Sequence, residues 1–135
     1  MAFDGWLIKF GSVALPNHYL EKYKDKPNMR IEIDAYRDSG DITLHRTTSP
    51  HFKSQIKLPI RSLYLGEKIF LKAVIDAAVT NEVERKVSVT YWNSETLSYK
   101  SGDFYMTDIE YTICRVDVKK LNLRYEPFEI VLIEY

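Results

Sequence analysis

Three histidines, one cysteine and a scatter of carboxylates are the residues of this chain with chemistry to offer. His45 and His51 flank Arg46-Thr47-Thr48-Ser49-Pro50, a spacing that matches no metal-ligand pattern and has no cysteine beside it, so both read as members of a solvated loop. His18 stands next to Tyr19 without an acidic neighbour to orient its ring. Nucleophilic catalysis would need a Ser or Cys on a sharp turn, followed by a base and an orienting acid. Ser12, Ser39 and Ser94 lie in ordinary turns, Ser88 in a strand, and no Gly-x-Ser-x-Gly occurs. The pairs Glu32 with Asp34 and Asp108 with Glu110 fall on one face of a strand, where they could exchange protons, but the solvated face of any half-buried strand carries the same pattern. Five glycines make no phosphate-cradling loop. No catalytic residue, metal site or cofactor is expected, and the chain reads as a non-enzyme.

Charge narrows the field further. Nineteen basic and nineteen acidic side chains cancel without a run of either sign, so the field that collects nucleic acid or an anionic membrane is missing. Lys86, Tyr91, Trp92, Tyr99 and Lys100 form the one basic-aromatic set that could stack single strands, diluted by Glu84, Glu95 and Asp103. A small β-barrel binding nucleic acid or sugar is therefore the alternative from a different functional class. The first residues lack a basic stretch leading into an apolar core, and no apolar run approaches about 18 residues, so neither an export signal nor a membrane span is expected. Cys114, in the strand-like run 109–118, reads as a buried inert thiol.

The elements that would position these residues are mostly strands. Only residues 61–79 carry apolar side chains at helical spacing: Phe70, Val74, Ala77 and Ala78 form a stripe that Leu71 and Ile75 widen, with Glu67, Lys68, Lys72 and Asp76 mostly opposite. The capping position three before Glu67 holds Tyr64 where Ser or Thr is usual. Runs 6–10 and 13–15 make a hairpin about Gly11-Ser12, because Gly tolerates the positive φ a tight turn requires. Residues 17–26 read as an irregular or extended link. Ile31, Ile33 and Ala35 alternate with polar partners, Arg37 to Asp41 make a turn, and 42–45 return. A mobile exposed loop of Thr47, Thr48, Ser49, Pro50, His51, Phe52 and Lys53 follows. Val87, Val89 and Tyr91 mark the clearest strand, with 99–106 as its partner, and strands at 109–118, 121–126 and 129–135 complete the chain. Consecutive Ile130-Val131-Leu132-Ile133 suggests burial on both faces. At 135 residues this is one domain, 1–135, mainly β: an antiparallel sandwich or barrel with one flanking helix. Ten tyrosines, apolar in body and polar at the tip, suit surfaces that another protein covers.

The order of several landmarks resembles small tail-module structural proteins of long-tailed bacteriophages. These are Gly5-Trp6-Leu7-Ile8-Lys9-Phe10-Gly11 with Leu15-Pro16, Tyr36-Arg37-Asp38-Ser39-Gly40 followed by His45-Arg46, and the Leu-rich entry to the helix. Val87-Ser88-Val89-Thr90-Tyr91-Trp92-Asn93, Gly102-Asp103-Phe104-Tyr105 and Leu132-Ile133-Glu134-Tyr135 continue the series, which spans nearly the whole chain. The resemblance implies a tail-tube-like β-sandwich whose copies close into a ring, usually sixfold, by pairing strands and inserting a long loop or hairpin into the neighbour. It implies a virion-tail component at the distal end or baseplate hub, folded and assembled in the bacterial host cytoplasm. A tail-tube or tail-terminator subunit is the alternative within that class. Partners would be further copies of the chain and the adjoining tail tube, tape measure and hub proteins, with no membrane and no specific nucleic acid. Thr47 to Lys53, with their flanking strands, are the expected inserted arm, since a head-to-tail ring needs a protrusion on one side and a receptive edge on the other.

Overall fold

Every strand pairing is antiparallel, as the short, turn-bounded runs require. The computed structural model describes residues 3–37, 40 and 44–135, with the side chains of 31–37 and 44–52 left aside. Among the described residues the chain forms eleven strands and one α-helix. In order these are β1 (Ile8–Phe10), β2 (Val13–Ala14), β3 (Lys24–Arg37), β4 (Leu44–Ile60), β5 (Leu63–Tyr64), α1 (Leu65–Ala78) and β6 (Val79–Asn81). They continue with β7 (Lys86–Asn93), β8 (Ser98–Met106), β9 (Ile113–Asp117), β10 (Asn122–Tyr125) and β11 (Phe128–Glu134). The larger sheet runs β2-β1-β7-β8-β11-β4-β3, with β6 added to β7, and the smaller runs β5-β10-β9. The protein is thus a mainly β, antiparallel sandwich with one helix.

Helix α1 packs against β1 and β7 of the large sheet and β5 and β10 of the small one. Its buried residues are Leu71, Val74, Ile75 and Ala78, an i, i+3, i+4, i+7 set. Burying each of the three larger ones contributes about 1.5–3 kcal/mol. Phe70, expected in the stripe, instead lies 43% exposed at the helix flank, its ring centre 5.9 Å from that of Tyr19 in an edge-to-face contact. The buried stripe therefore starts one position later than Phe70, on a helix that packs against strands of both sheets. Tyr64 caps without a side-chain bond, and only the returning half of a capping box is made, from the Tyr64 N–H to Glu67 at 3.2 Å. Arg61 completes this corner. Its guanidinium pairs with the Glu67 carboxylate, donates Nε to the His18 carbonyl at 2.7 Å and lies 5.3 Å from the Tyr19 ring centre. That bidentate contact holds the Glu67 carboxyl below its ordinary 4.5.

Period-two burial is met along β7, where Val87, Val89, Tyr91 and Asn93 are buried in alternation, and along β4, where Ser54, Ile56, Leu58 and Ile60 are. The Gly11-Ser12 hairpin forms as expected, with Gly11 at φ 63° and Phe10 opposite Val13. A Cβ at Gly11 would also meet the Ala78 Cβ at 3.5 Å, so this turn seats the end of α1 as well. In β11, Ile130 and Leu132 are fully buried while Val131 and Ile133 are half-buried, short of the two-sided burial the apolar run suggested.

Two further expectations fail. The run 109–118 is a strand only over Ile113–Asp117, and Cys114 is exposed, its Sγ 3.4 Å from the Arg124 carbonyl. Its β-branched residues suit a strand, but that strand is the outer one of a small sheet and Ile113 to Val116 are exposed. The residues Thr47, Thr48, Ser49, Pro50, His51, Phe52 and Lys53 are not a loop. They belong to the 17-residue strand β4.

Candidate subunit interface

Strands β3 and β4 pair with each other from Lys24 opposite Lys57 to Arg37 opposite Leu44, but only part of that ladder is anchored. Residues 55–60 of β4 also pair with β11, and Lys24 to Lys26 of β3 lie opposite Lys57 to Gln55. Beyond this root, residues 29–37 and 44–53 pair with no third strand among the described residues. Nine extended residues reach about 30 Å. The chain therefore carries a two-stranded arm that extends beyond the rest of its sheet.

The local sequence explains both the arm and why it reads as a loop. Thr is a good strand former, and Pro50 is tolerated because the ladder is irregular where it sits. Arg30 faces Phe52 and Glu32 faces Thr48, so the segment around Pro50 bulges out of register. Further irregularities lie between Lys26 and Met29 and between Glu32 and Asp34. The turn residues Asp38, Ser39, Asp41, Ile42 and Thr43 lie outside the described residues.

Buried polar side chains fix the root. Ser54 Oγ accepts from the Asn28 N–H at 3.2 Å and from the Tyr91 hydroxyl at 2.9 Å, and the Ser54 N–H donates to Glu134 Oε1 at 2.8 Å. Asn28 has φ 52°, a left-handed conformation that Asn accepts more readily than most residues, and its Oδ1 receives Asn93 Nδ2 at 3.4 Å. Asn93, fully buried, accepts the N–H groups of Glu95 and Thr96 at 2.9 and 3.1 Å. The Tyr23 hydroxyl donates to the Trp92 carbonyl at 2.7 Å, and burial pushes it well above its ordinary 10.0, with Asp25 adding to the rise. Burial also raises Tyr91. Gly102 leaves room for this network, since a Cβ there would meet Glu134 Oε2 at 2.9 Å. Ser54→Ala is expected to cost about 2 kcal/mol, because it strands two donors at a site that excludes water. A chemical-denaturation midpoint that falls with an unchanged m value is the expected reading.

None of Ser54, Asn93 and Glu134 stood out in the sequence as functional. Parity was the available signal: Ser54 shares the phase of Ile56, Leu58 and Ile60, and Asn93 that of Val87, Val89 and Tyr91.

The residues weighed for chemistry are dispersed. His18 lies in a short 3-10 turn (Asn17–Tyr19), its ring 4.8 Å from Tyr19, and the side chains of His45, His51, Glu32 and Asp34 are outside the described set. Asp108 and Glu110 are exposed, Asp108 lying 3.7 Å from Arg85. No group of three His, Cys, Asp or Glu that could hold a metal occurs among the described residues. The basic-aromatic set does not share one face: Tyr91 points into the core, while Trp92 and Tyr99 pack edge to face at 5.2 Å. Tyr99 also stacks on Trp6 at 3.9 Å, and Lys86 sits 4.8 Å from the ring of Tyr135 at the far end of β7.

Fold and site together define a class: an antiparallel β-sandwich with one helix and a projecting two-stranded arm, rooted in buried hydrogen bonds. The chain matches a family of unknown function (DUF6711) over residues 1–135 and belongs to it. No curated protein and no solved structure matches it.

Proposed function

We propose that this protein is a non-enzymatic structural component of a phage or prophage tail. Its copies close into a ring, six in number, at the distal tail or baseplate hub, next to tail-tube, tape-measure and hub proteins. The observation that carries this reading is the arm. A two-stranded ribbon is marginally stable in water on its own, and an uncovered edge invites pairing, so a chain that builds one about 30 Å long gains stability by placing it on a neighbour. The ordered landmarks from Gly5 to Tyr135 support the same reading, and so does the tyrosine content. Thr47 to Lys53 then contact the adjacent copy as part of the returning strand of the arm.

Mass spectrometry of tail particles from an induced lysogen that encodes the chain tests this directly. Several copies per tail are expected. A chain abundant in the lysate but missing from purified particles overturns the proposal.

A further inference from the structure

Helix α1 leaves a cleft on one flank, a cavity of about 250 Å³ whose floor is apolar. Leu71 and Ile75 of the helix, Met106 at the end of β8 and Ile130 of β11 line it, and all four are buried. A second cavity, of about 300 Å³, shares Ile75, Met106 and Arg85 with the first. Tyr111, in the connector 107–112 between β8 and β9, lines the first cavity, its ring centre 5.0 Å from that of Phe128. An apolar cavity of about 150 Å³ is enough to hold benzene, so the first cavity takes a body of ring size with room for a polar group.

The charges around this floor are unequal. Lys72 is paired with Asp76. Lys68, partly buried, has its Nζ 4.5 Å from the Tyr111 ring centre and pairs with no carboxylate among the described residues. Burial pushes its amine below the ordinary 10.5, Lys72 adds to the fall and Asp76 opposes it. Arg85 donates Nε to the Met106 carbonyl at 3.1 Å, with exposed Asp108 3.7 Å from the same nitrogen, while Nη1 and Nη2 make no hydrogen bond among the described residues. A partly buried amine without a partner and a guanidinium with its terminal nitrogens open, both beside an apolar floor, suit a carboxylate carried on an apolar body. We propose that this cleft binds a small aromatic carboxylate of the size of phenylacetate, its charge on Lys68 and Arg85 and its ring against Leu71, Ile75, Met106 and Ile130. The proposal goes beyond the ring reading and does not depend on it.

Titration of the ¹⁵N-labelled full-length chain, followed by amide chemical shifts, tests it with three probes: phenylacetate, 2-phenylethanol and acetate. Phenylacetate is expected to give saturable shifts centred on Leu71, Ile75, Met106 and Ile130, and to bind at least about tenfold more tightly than the uncharged alcohol or the bodiless acid. Lys68→Met keeps the apolar stem and removes the amine. It should weaken phenylacetate at least about tenfold and leave 2-phenylethanol within about twofold of the parent, a split that a merely structural role would not produce. Lys68→Gln serves as the second variant where the first does not fold, with circular dichroism melting as the control. Equal affinity for phenylacetate and 2-phenylethanol, an unchanged phenylacetate titration in the Lys68 variants, or no saturable shifts at these four residues overturns the proposal.

Discussion

Val74→Asp is expected to abolish the cooperative unfolding transition. Val74 is 5% exposed, on the helix face between the two sheets, within a cluster that includes Ile8, Phe10, Val89 and Leu63. The substitution removes about 1.5–3 kcal/mol of apolar burial and leaves a carboxylate with no cation among those core neighbours, which adds about 3–5 kcal/mol. That total rivals the whole stability of a domain this size, about 5–15 kcal/mol. The matched control is Ile69→Asp, one turn away at 60% exposure, which should melt within a few degrees of the parent. Thermal unfolding followed by circular dichroism and intrinsic tryptophan fluorescence reads both. A Val74→Asp protein that melts like the parent would mean that α1 does not seal the two sheets.

Replacing residues 31–51 with an Asn-Gly turn should leave a folded protein that no longer self-associates. The cut falls where Arg30 and Phe52 lie opposite each other, so the shortened strands meet in register and a two-residue turn closes them. Everything that anchors β4 survives: Ser54 and its partners, and the pairing of residues 55–60 with β11. The shortened hairpin keeps the anchored pairs from Lys24 to Arg30, so the melting temperature should move by only a few degrees. Native mass spectrometry should lose every species above the monomer. Loss of the folded monomer would show that the arm belongs to the core, and retention of the oligomer would show that copies meet elsewhere.

The pairing of β3 with β4 was legible, but its length was not. Ile31, Ile33 and Ala35 alternate with polar residues and announce a strand, and the Asp-Ser-Gly-Asp stretch announces its turn. The returning strand was lost at Thr47, because Thr47, Thr48, Ser49 and Pro50 print no apolar period, and Pro50 looks like an interruption when only its bulge is. Cys114 failed in the opposite direction. Ile113 and Val116 look like core, and only the position of β9 at the outside of a three-stranded sheet exposes them.

Period and composition by themselves settled the antiparallel β architecture, the single helix and its apolar stripe to within one position, and the tight turn at Gly11, since each depends on neighbours within a few residues along the chain. Which apolar faces end up covered was decided by the tertiary structure. Burial depends on what lies opposite, and the partners that seat Ser54 against Tyr91 and Glu134, or leave Leu121 in water, come from parts of the chain far apart in sequence.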